Sequence, residues 1–386
     1  MTREALKTVQ VVGESSYGGA TYLIIRWIRF LVQHGCTVDV VASDERACEL
    51  IAEESGIRVL NGISIPRQIR FRADGLALCQ LVRLFHRERY DVVHTYTATP
   101  GFLGRLAGRL CGVPAVIHHQ AGWNVTEWSS LREKLIYWPL EYLATVFSTK
   151  SICVGESVKE EATRRHLAPP SKLVVIRNGI EVHRFAGAVG RCGVSFREEM
   201  GVNDGRLLVG VVSRLSERKG LEAVIEAFPR IVAALPDRCP TLLIAGDGPI
   251  RSSLERLAVA SGAGDRIRFL GFQSDVVPFL DALDICVHPS LREGLSISLL
   301  EAMGARKAIV ASAISANAEL IKNGVTGLLF APDERDELVS AVLRFADDSE
   351  YASGCGLRAQ AAAARDYTIE RMFSETWQLY LQLTRL

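Results

Sequence analysis

The sequence predicts an α/β protein with two domains, each built on a parallel β-sheet covered by helices on both faces. Short apolar runs alternate with amphipathic helical stretches along the chain, which is the pattern of β-α-β units. The alternation restarts after an irregular, glycine-containing stretch at 178–203. The length of 386 residues suits two domains, since one domain usually has about 100–200 residues.

The first set of predicted strands consists of short runs that are rich in β-branched residues and bounded by turn formers. Continuous apolar runs of this kind are typical of strands buried on both faces of a parallel sheet. The predicted strands are 9–13, 38–43, 91–96, 115–120, 151–155 and 173–177, with helices at 20–34 and 131–147. The first domain is therefore predicted to span residues 1–185.

The second set repeats the pattern and predicts a second domain at 186–366, after a linker near 178–188. Its predicted strands are 207–213, 241–245, 267–271, 285–288, 308–312 and 327–330, with helices at 220–235, 251–261 and 296–305. The last segment, 367–386, carries apolar residues at i+4 spacing and is predicted to be a helix that docks between the domains or back onto them. Two doubly wound, Rossmann-like sheets would face a central cleft, where ligands of such folds bind.

The bulk composition limits the classes of function. The net charge is only +1 and no recognised nucleic-acid module is visible, so nucleic acid is not an expected partner. The nine cysteines are scattered, without a C-x-x-C pair, which favours reduced thiols and a cytoplasmic location. No apolar run reaches the roughly 18–20 residues that span a bilayer, so any membrane contact is predicted to be peripheral.

Basic residues are concentrated in the first half of the chain, where residues 1–185 contain 23 Lys and Arg against 18 Asp and Glu. Many of them are arginines: Arg67, Arg70, Arg72, Arg83, Arg87, Arg89, Arg105 and Arg109. They are interpreted either as ordinary solvated helix faces or as a surface for anionic lipid or a lipid-linked diphosphate at the inner face of a membrane.

Two glutamates, Glu293 and Glu301, flank a glycine turn and the start of a predicted helix in the segment S-L-R-E-G-L-S-I-S-L-L-E. Eight helical steps would separate them by roughly 12 Å, whereas the paired carboxylates of glycosidases are about 5–9.5 Å apart. They are therefore better placed to hold two ends of one long ligand. The helix N-terminus between them suits a diphosphate, so a sugar–diphosphate–ribose chain fits this spacing.

Two further segments follow predicted strands and carry groups suited to phosphate. Arg214 and Lys219 follow the strand at 207–213, where two cations could bind phosphate oxygens, although each alone is also typical of a solvated turn. Gly18 and Gly19 follow the first strand and open a helix, which lets a ligand approach the backbone. This pair is not a G-x-G-x-x-G or P-loop fingerprint.

Taken together, these segments resemble the retaining glycosyltransferases of family 4, which have the two-domain GT-B architecture. The resemblance covers essentially the whole chain and rests on the segments 214–220, 245–249, 269–271 and, above all, 293–301. It implies that Glu293 contacts the hydroxyls of the donor sugar and that Glu301 holds the ribose. It also implies that the diphosphate is bound by Arg214, Lys219 and the backbone N–H groups of Gly294, Leu295 and Ser296, with Gly18 and Gly19 over the donor phosphates.

The resemblance is imperfect at the fifth strand, after which the family usually has a His followed by Gly. Here Ala121 precedes Gly122, so the sugar-contacting His is replaced by His118, by His119 or by neither. The side chains of a strand alternate, so the two histidines should point to opposite faces. His119 lies nearer the loop and is the predicted catalytic group.

The predicted function is transfer of a hexosyl unit from a nucleotide-diphosphate sugar to a glycan or lipid-linked acceptor in polysaccharide biosynthesis. A UDP-sugar is favoured over a GDP-sugar. No D-x-D motif occurs, so no metal site and no cofactor are expected. A sugar-nucleotide epimerase and a non-catalytic nucleotide-sugar-binding protein are the alternatives; an epimerase would alter the donor sugar without an acceptor.

Overall fold

The computed structural model describes residues 5–13, 19–42, 51, 56–65, 70–124, 130–202 and 205–384. The chain divides into two compact units. Unit 1 comprises Met1–Arg177 together with Met372–Leu386, and unit 2 comprises Asn178–Arg371.

Unit 1 is built on a parallel sheet with the strand order β3-β2-β1-β4-β5-β6-β7 over the residues described. Its strands are β1 (Lys7–Gly13), β2 (Thr37–Ala42), β3 (Ile57–Val59), β4 (Val92–Tyr96), β5 (Ala115–Gln120), β6 (Lys150–Cys153) and β7 (Leu173–Val175). Its helices include α1 (Gly19–Gln33), α2 (Phe71–Glu88), α3 (Ala98–Leu110), α4 (Leu131–Phe147) and α5 (Glu156–Arg164). The valines of β1 and β4 are buried, as expected for central strands.

Unit 2 repeats this plan with the strand order β10-β9-β8-β11-β12-β13. Its strands are β8 (Leu208–Val212), β9 (Thr241–Ala245), β10 (Ile267–Gly271), β11 (Ile285–His288), β12 (Ala308–Ser312) and β13 (Leu328–Phe330). Its helices include α6 (Val182–Ala186), α7 (Gly193–Glu199), α8 (Leu221–Ala234), α9 (Arg251–Ala260), α10 (Val277–Ala282), α11 (Ile297–Gly304), α12 (Ser315–Leu320), α13 (Arg335–Asp347) and α14 (Ser349–Asp366). Aliphatic residues of β8, β9, α8 and α13 form its core.

Each sheet has a switch point, where the strand order reverses. In unit 1 it lies between β1 and β4, and in unit 2 between β8 and β11. In open parallel sheets, ligands bind beyond the carboxyl ends of the strands at this point. The loops after β8 and β11 are therefore the expected ligand-binding region of unit 2.

The final helix, α15 (Ile369–Thr384), follows a short backbone pairing between Ile180 and Thr368 within unit 2. From Met372 onward, its residues belong to unit 1. There the buried Tyr380 hydroxyl lies 2.8 Å from Nδ1 of His94, and its ring contacts Trp27 edge-on. The aromatic residues at i+4 spacing thus form a packed face, as their periodicity predicts.

The predicted doubly wound parallel sheets are confirmed, and most predicted strands match the structure within one or two residues. The sequence prediction omitted β3, a three-residue strand at the edge of the sheet whose side chains are only partly buried. The predicted linker at 178–188 also differs, because it contains α6. That helix forms because Val182 and Phe185 are buried in unit 2.

The interpretation of these arginines as surface residues is wrong for Arg105. Arg105 is 2% exposed, and its Nε donates a hydrogen bond to the carbonyl oxygen of Gly101 at 2.7 Å. The charge pattern alone cannot reveal this burial. Six of the other arginines are exposed: Arg70, Arg72, Arg83, Arg87, Arg89 and Arg109. Arg67 lies outside the described residues.

Candidate active site

The loops after β8 and β11 are joined by their backbones at the switch point of unit 2. The N–H of Leu291 donates to the carbonyl oxygen of Arg218 at 2.9 Å. Gly220 has a φ of +62°, and a Cβ there would clash with the Pro289 carbonyl oxygen. Glycine is therefore required at this position for both conformation and space. This close packing brings side chains of the two loops together.

Lys219 and Glu293 form an ion pair across these loops, with Nζ and Oε1 separated by 2.5 Å. His288, the last residue of β11, places its Nε2 3.4 Å from the same carboxylate oxygen. The three side chains are largely buried, with exposed fractions of 23%, 12% and 3% for Lys219, Glu293 and His288. The site thus holds an acidic group between two basic side chains.

Burial of Glu293 opposes its ionisation, but His288 and Lys219 outweigh that effect and lower the pKa of Glu293 to about 2. The carboxylate is therefore charged at neutral pH. A charged carboxylate accepts hydrogen bonds and cannot donate a proton. This suits the predicted task of orienting sugar hydroxyls better than the task of a general acid.

The turn from Glu293 into α11 has the form predicted from the sequence. Gly294 and Leu295 form a bend, and Ser296 is the N-cap, whose Oγ accepts a hydrogen bond from the N–H of Leu299. The Asn178 side-chain amide donates to the Leu295 carbonyl oxygen at 3.3 Å and fixes the turn. A capped helix N-terminus with a bend before it is a favourable environment for an anionic group.

Glu301 lies on α11 and is half-buried. Burial raises its pKa to about 7, with the positive charge of Arg184 opposing this effect and Asp275 adding to it. Arg184 and Asp275 themselves form an ion pair of 2.8 Å. Glu301 thus has a carboxylate that is costly to keep charged in the absence of a hydrogen-bonding ligand.

Arg214 follows β8 and is exposed. The same loop is bonded to the turn after β9, since the Leu215 N–H donates to the Asp247 carbonyl oxygen at 2.9 Å. The Asp247 carboxylate in turn lies 2.9 Å from Nη1 of Arg251. The glycine turn at Gly246 and Gly248 thus supports the loop that carries Arg214.

The sequence prediction did not include His288. Its position in the sequence could have indicated a site residue, because a polar residue at the carboxyl end of a switch-point strand faces the usual ligand site. The ion pair of Lys219 with Glu293 was not predicted either, since both residues were assigned separate contacts to the donor.

In unit 1, the adjacent histidines of β5 point to opposite faces of the sheet. Nδ1 of His118 lies 2.9 Å from Oγ1 of Thr95, and its ring packs beneath Gly101 of α3. His118 is 4% exposed, and burial lowers its pKa well below the usual value. His119 is half-buried, with its ring centroid 5.7 Å from that of Tyr96. His118 is therefore a core residue, and His119 faces the opposite side of the sheet.

The switch point of unit 1 is only partly described. Gly19 is exposed at the first position of α1, whereas Gly18 lies outside the described residues. On the other strand of this switch point, Thr97 follows β4 with a φ of +61°. A positive φ is unusual for a β-branched residue and marks local backbone strain at this edge.

Within the part of the chain that the structure describes, no group of three or more His, Cys, Asp or Glu side chains is arranged to hold a metal ion. Over the same residues, none of the helices combines the length and apolar character needed to cross a bilayer.

Comparison with known proteins identifies the family. A model described as Glycosyltransferase Family 4 matches residues 17–184, and one described as Glycosyl transferases group 1 matches residues 206–348. The UDP-Gal:alpha-D-GlcNAc-diphosphoundecaprenol alpha-1,3-galactosyltransferase of Escherichia coli is 30% identical over 80% of this chain and 82% of its own. The chain belongs to glycosyltransferase family 4.

The chain is also similar to a further relative and to a solved structure at lower identity. The D-inositol 3-phosphate glycosyltransferase of Corynebacterium diphtheriae is 25% identical over 92% of this chain and 88% of its own. The crystal structure of Anabaena Alr3699/HepE in complex with UDP-glucose matches with a TM-score of 0.82 at 22% identity, covering 97% of this chain and 99% of that one. This likeness confirms the GT-B fold class predicted for this family 4 glycosyltransferase.

Proposed function

We propose that this glycosyltransferase moves a hexosyl unit from a UDP-sugar to a glycan or lipid-linked acceptor in polysaccharide biosynthesis, with retention of configuration and without a metal ion. The observation that carries the proposal is the arrangement in unit 2. Lys219, Glu293 and His288 meet at the switch point, and Glu301 lies on α11, the capped helix that follows Glu293. This arrangement supports the binding of a long ligand with a charged centre.

The donor is proposed to lie along this edge of the sheet. Glu301 accepts hydrogen bonds from the ribose hydroxyls, which compensate the cost of its buried charge. The diphosphate is held by Arg214, Lys219 and the backbone N–H groups of Gly294, Leu295 and Ser296. Gly18 and Gly19 remain proposed contacts to the donor phosphates.

Glu293 is proposed to orient the sugar through its hydroxyls rather than to attack it. Its low pKa keeps it charged, and Lys219, which pairs with this carboxylate, is proposed to bind a phosphate oxygen as well. Positive charge placed beforehand stabilises the diphosphate as the bond to the anomeric carbon breaks. The acceptor oxygen then bonds to that carbon from the same face, and the departing phosphate takes the proton.

The choice of substrates rests on relatives. The Escherichia coli relative is named for UDP-Gal and a diphosphoundecaprenol acceptor, and HepE was crystallised with UDP-glucose. The C. diphtheriae relative is named for an inositol phosphate, so acceptors differ within the family. For this chain we propose a UDP-sugar donor and a lipid-linked acceptor, used at the cytoplasmic face of a membrane. His119 is proposed to assist at the sugar.

The test is to incubate the enzyme with individual UDP- and GDP-sugars, with and without a membrane extract as the acceptor source. The proposal predicts UDP release and sugar incorporation into lipid only when donor and acceptor are both present. Conversion of the donor sugar without acceptor would indicate epimerisation instead. Donor binding without turnover against every acceptor pool would indicate a binding protein.

A further inference from the structure

Helix α4 of unit 1 has its large apolar side chains on the outside. Leu131 is 74% exposed and Leu135 is 69% exposed. They belong to an exposed stripe with helical spacing: Leu131, Leu135, Trp138, Tyr142 and Val146. Exposed Ile136 and Leu143 widen this stripe. We call these seven residues the apolar face of α4.

The fully buried residues of the same helix are small or polar. Its buried residues are Glu141, Ala144 and Thr145. Glu141 accepts hydrogen bonds from the backbone and side-chain nitrogens of Asn124, and Thr145 donates to the Glu141 carbonyl oxygen. The usual polarity of a surface helix is therefore reversed. A contiguous exposed apolar face of this kind marks an interaction surface.

Basic residues lie at both ends of the apolar face. Arg132 and Lys134 are in the first turn of α4, where Glu133 is engaged in the capping box with Ser130. At the other end, Lys172 donates to the carbonyl oxygen of Ser148, which caps the helix, at 2.8 Å. Burial lowers the pKa of Lys172, and the positive charges of Arg109 and Lys150 lower it further. A partner that carries negative charge around an apolar interior would therefore complement this face.

The aromatic residues of the face are also of the kind found at the boundary between lipid and water. The Trp138 Nε1 donates to the His166 carbonyl oxygen at 3.1 Å, while 43% of the residue remains exposed. Trp138 and Tyr142 line a surface recess of about 440 Å³ with Pro169 and Pro170. Rings with an apolar body and a satisfied polar tip are favoured at the boundary between lipid and water.

We propose that the apolar face of α4 is the surface by which this protein binds an anionic lipid bilayer. The helix lies in the plane of the interface, with its aliphatic and aromatic residues among the acyl chains and the basic ends against the headgroups. A second copy fits less well. Whether two such helices pack parallel or antiparallel, one basic end meets another, and like charges repel.

This inference rests on the proposed lipid-linked acceptor, which requires the enzyme to reach a membrane surface. It also identifies a different element from the arginine-rich segment of the N-terminal half. Helix α2 carries several of those arginines, whereas the apolar face lies on α4.

The test is sedimentation of the full-length protein with vesicles of mixed phosphatidylglycerol and phosphatidylcholine, and with vesicles of phosphatidylcholine alone. The double variant Leu135→Glu/Leu143→Glu changes two exposed positions. The matched control is Val259→Glu, which alters an apolar residue of unit 2 that is 76% exposed. Binding to anionic vesicles is expected to fall by about an order of magnitude in the double variant and to remain unchanged in the control.

Trp138 provides a second readout that leaves charge unchanged. Anionic vesicles are expected to shift the tryptophan emission of wild type to shorter wavelength, and most of this shift should be lost in Trp138→Phe. Retained vesicle binding by the folded double variant would overturn the inference. A wild-type dimer that the double variant converts to monomer, without vesicle binding, would overturn it in favour of self-association.

Activity with a detergent-solubilised acceptor separates this inference from the proposed function. The double variant is expected to transfer sugar normally in detergent and to lose transfer on vesicles. Normal transfer with no vesicle binding by wild type would refute only the membrane surface. Vesicle binding by a protein that neither binds UDP nor transfers sugar would refute only the proposed reaction.

Discussion

Nζ of Lys219 lies 2.5 Å from Oε1 of Glu293, although 74 residues separate them in the sequence. The contact exists because β8 and β11 are neighbours at the switch point and the loops after them are bonded through Arg218 and Leu291. It links the residue proposed to bind phosphate to the residue proposed to orient the sugar. Their coupling can be measured in the absence of substrate.

Replacing either partner is expected to destabilise the fold, because the other is left partly buried and uncompensated. Lys219→Met and Glu293→Gln should each lower the free energy of unfolding by about 1–3 kcal/mol. The double variant should lose less than the sum of the two, with a coupling energy of about 0.5–3 kcal/mol. Urea unfolding of the four proteins measures this. Additive effects would show that the pair does not form in solution.

Glu293 also makes stability depend on acid pH. Its pKa is about 2 in the folded chain, below the ordinary value of 4.5. The folded state therefore holds the charged form more strongly than the unfolded state does, and this stabilisation is present above about pH 4.5. It is lost as pH falls toward 2. Between about pH 4.5 and pH 2, the free energy of unfolding of wild type should therefore fall relative to that of Glu293→Gln. Parallel curves of unfolding free energy against pH, measured by urea unfolding, would contradict the low pKa.

Glu301 should have the opposite effect. Its pKa is raised from 4.5 to about 7, so the folded state binds more protons than the unfolded state between these values. The free energy of unfolding attributable to Glu301 therefore falls as pH rises through this window. As pH rises from about 5 to 8, the free energy of unfolding of Glu301→Gln should increase relative to that of wild type. The exposed control Glu198→Gln should show no such increase. The comparison uses protein without nucleotide.

The two histidines of β5 should separate stability from turnover. His118→Ala removes a buried ring bonded to Thr95 and should cost about 1–3 kcal/mol in unfolding free energy. His119→Ala should keep the melting temperature and lower kcat by roughly 10²–10⁴-fold, which is the range for a positioned acid–base group that helps to pass the acceptor proton to the departing phosphate. A near-normal kcat in His119→Ala would show that His119 is not a catalytic residue.

The parallel sheets could be predicted because central strands contain apolar runs of β-branched residues, as in β8. The edge strand β3 could not, because its three residues are partly exposed and lack such a run. The turn from Glu293 to Ser296 was predictable because glycine and a serine cap are local signals. The arrangement of Lys219, Glu293 and His288 was not, because it depends on which strands become neighbours.

The same distinction explains Arg105. Its charge indicated a surface position, but α3 packs on the sheet and the side chain folds back onto Gly101. Burial of a cation depends on tertiary neighbours and has no local sequence signal. The reversed polarity of α4 is similar, because its apolar periodicity predicts a helix but does not indicate which side faces the core.

Transfer should persist in excess chelator. Lys219 and Arg214 are proposed to supply the positive charge that a divalent ion supplies in other transferases. UDP release in the presence of donor and acceptor should be unchanged by EDTA. Loss of activity that Mg²⁺ or Mn²⁺ restores would contradict a metal-independent reaction.

Calorimetric titration of UDP into wild type, Glu301→Ala and the control Glu198→Ala decides whether Glu301 belongs to the donor site. UDP is expected to bind wild type and the control with equal affinity. In folded Glu301→Ala, the affinity should fall by about tenfold or more, because the ribose hydroxyls lose a charged acceptor worth about 1.5–3 kcal/mol. Equal UDP affinity in all three proteins would contradict a donor site at this edge of unit 2.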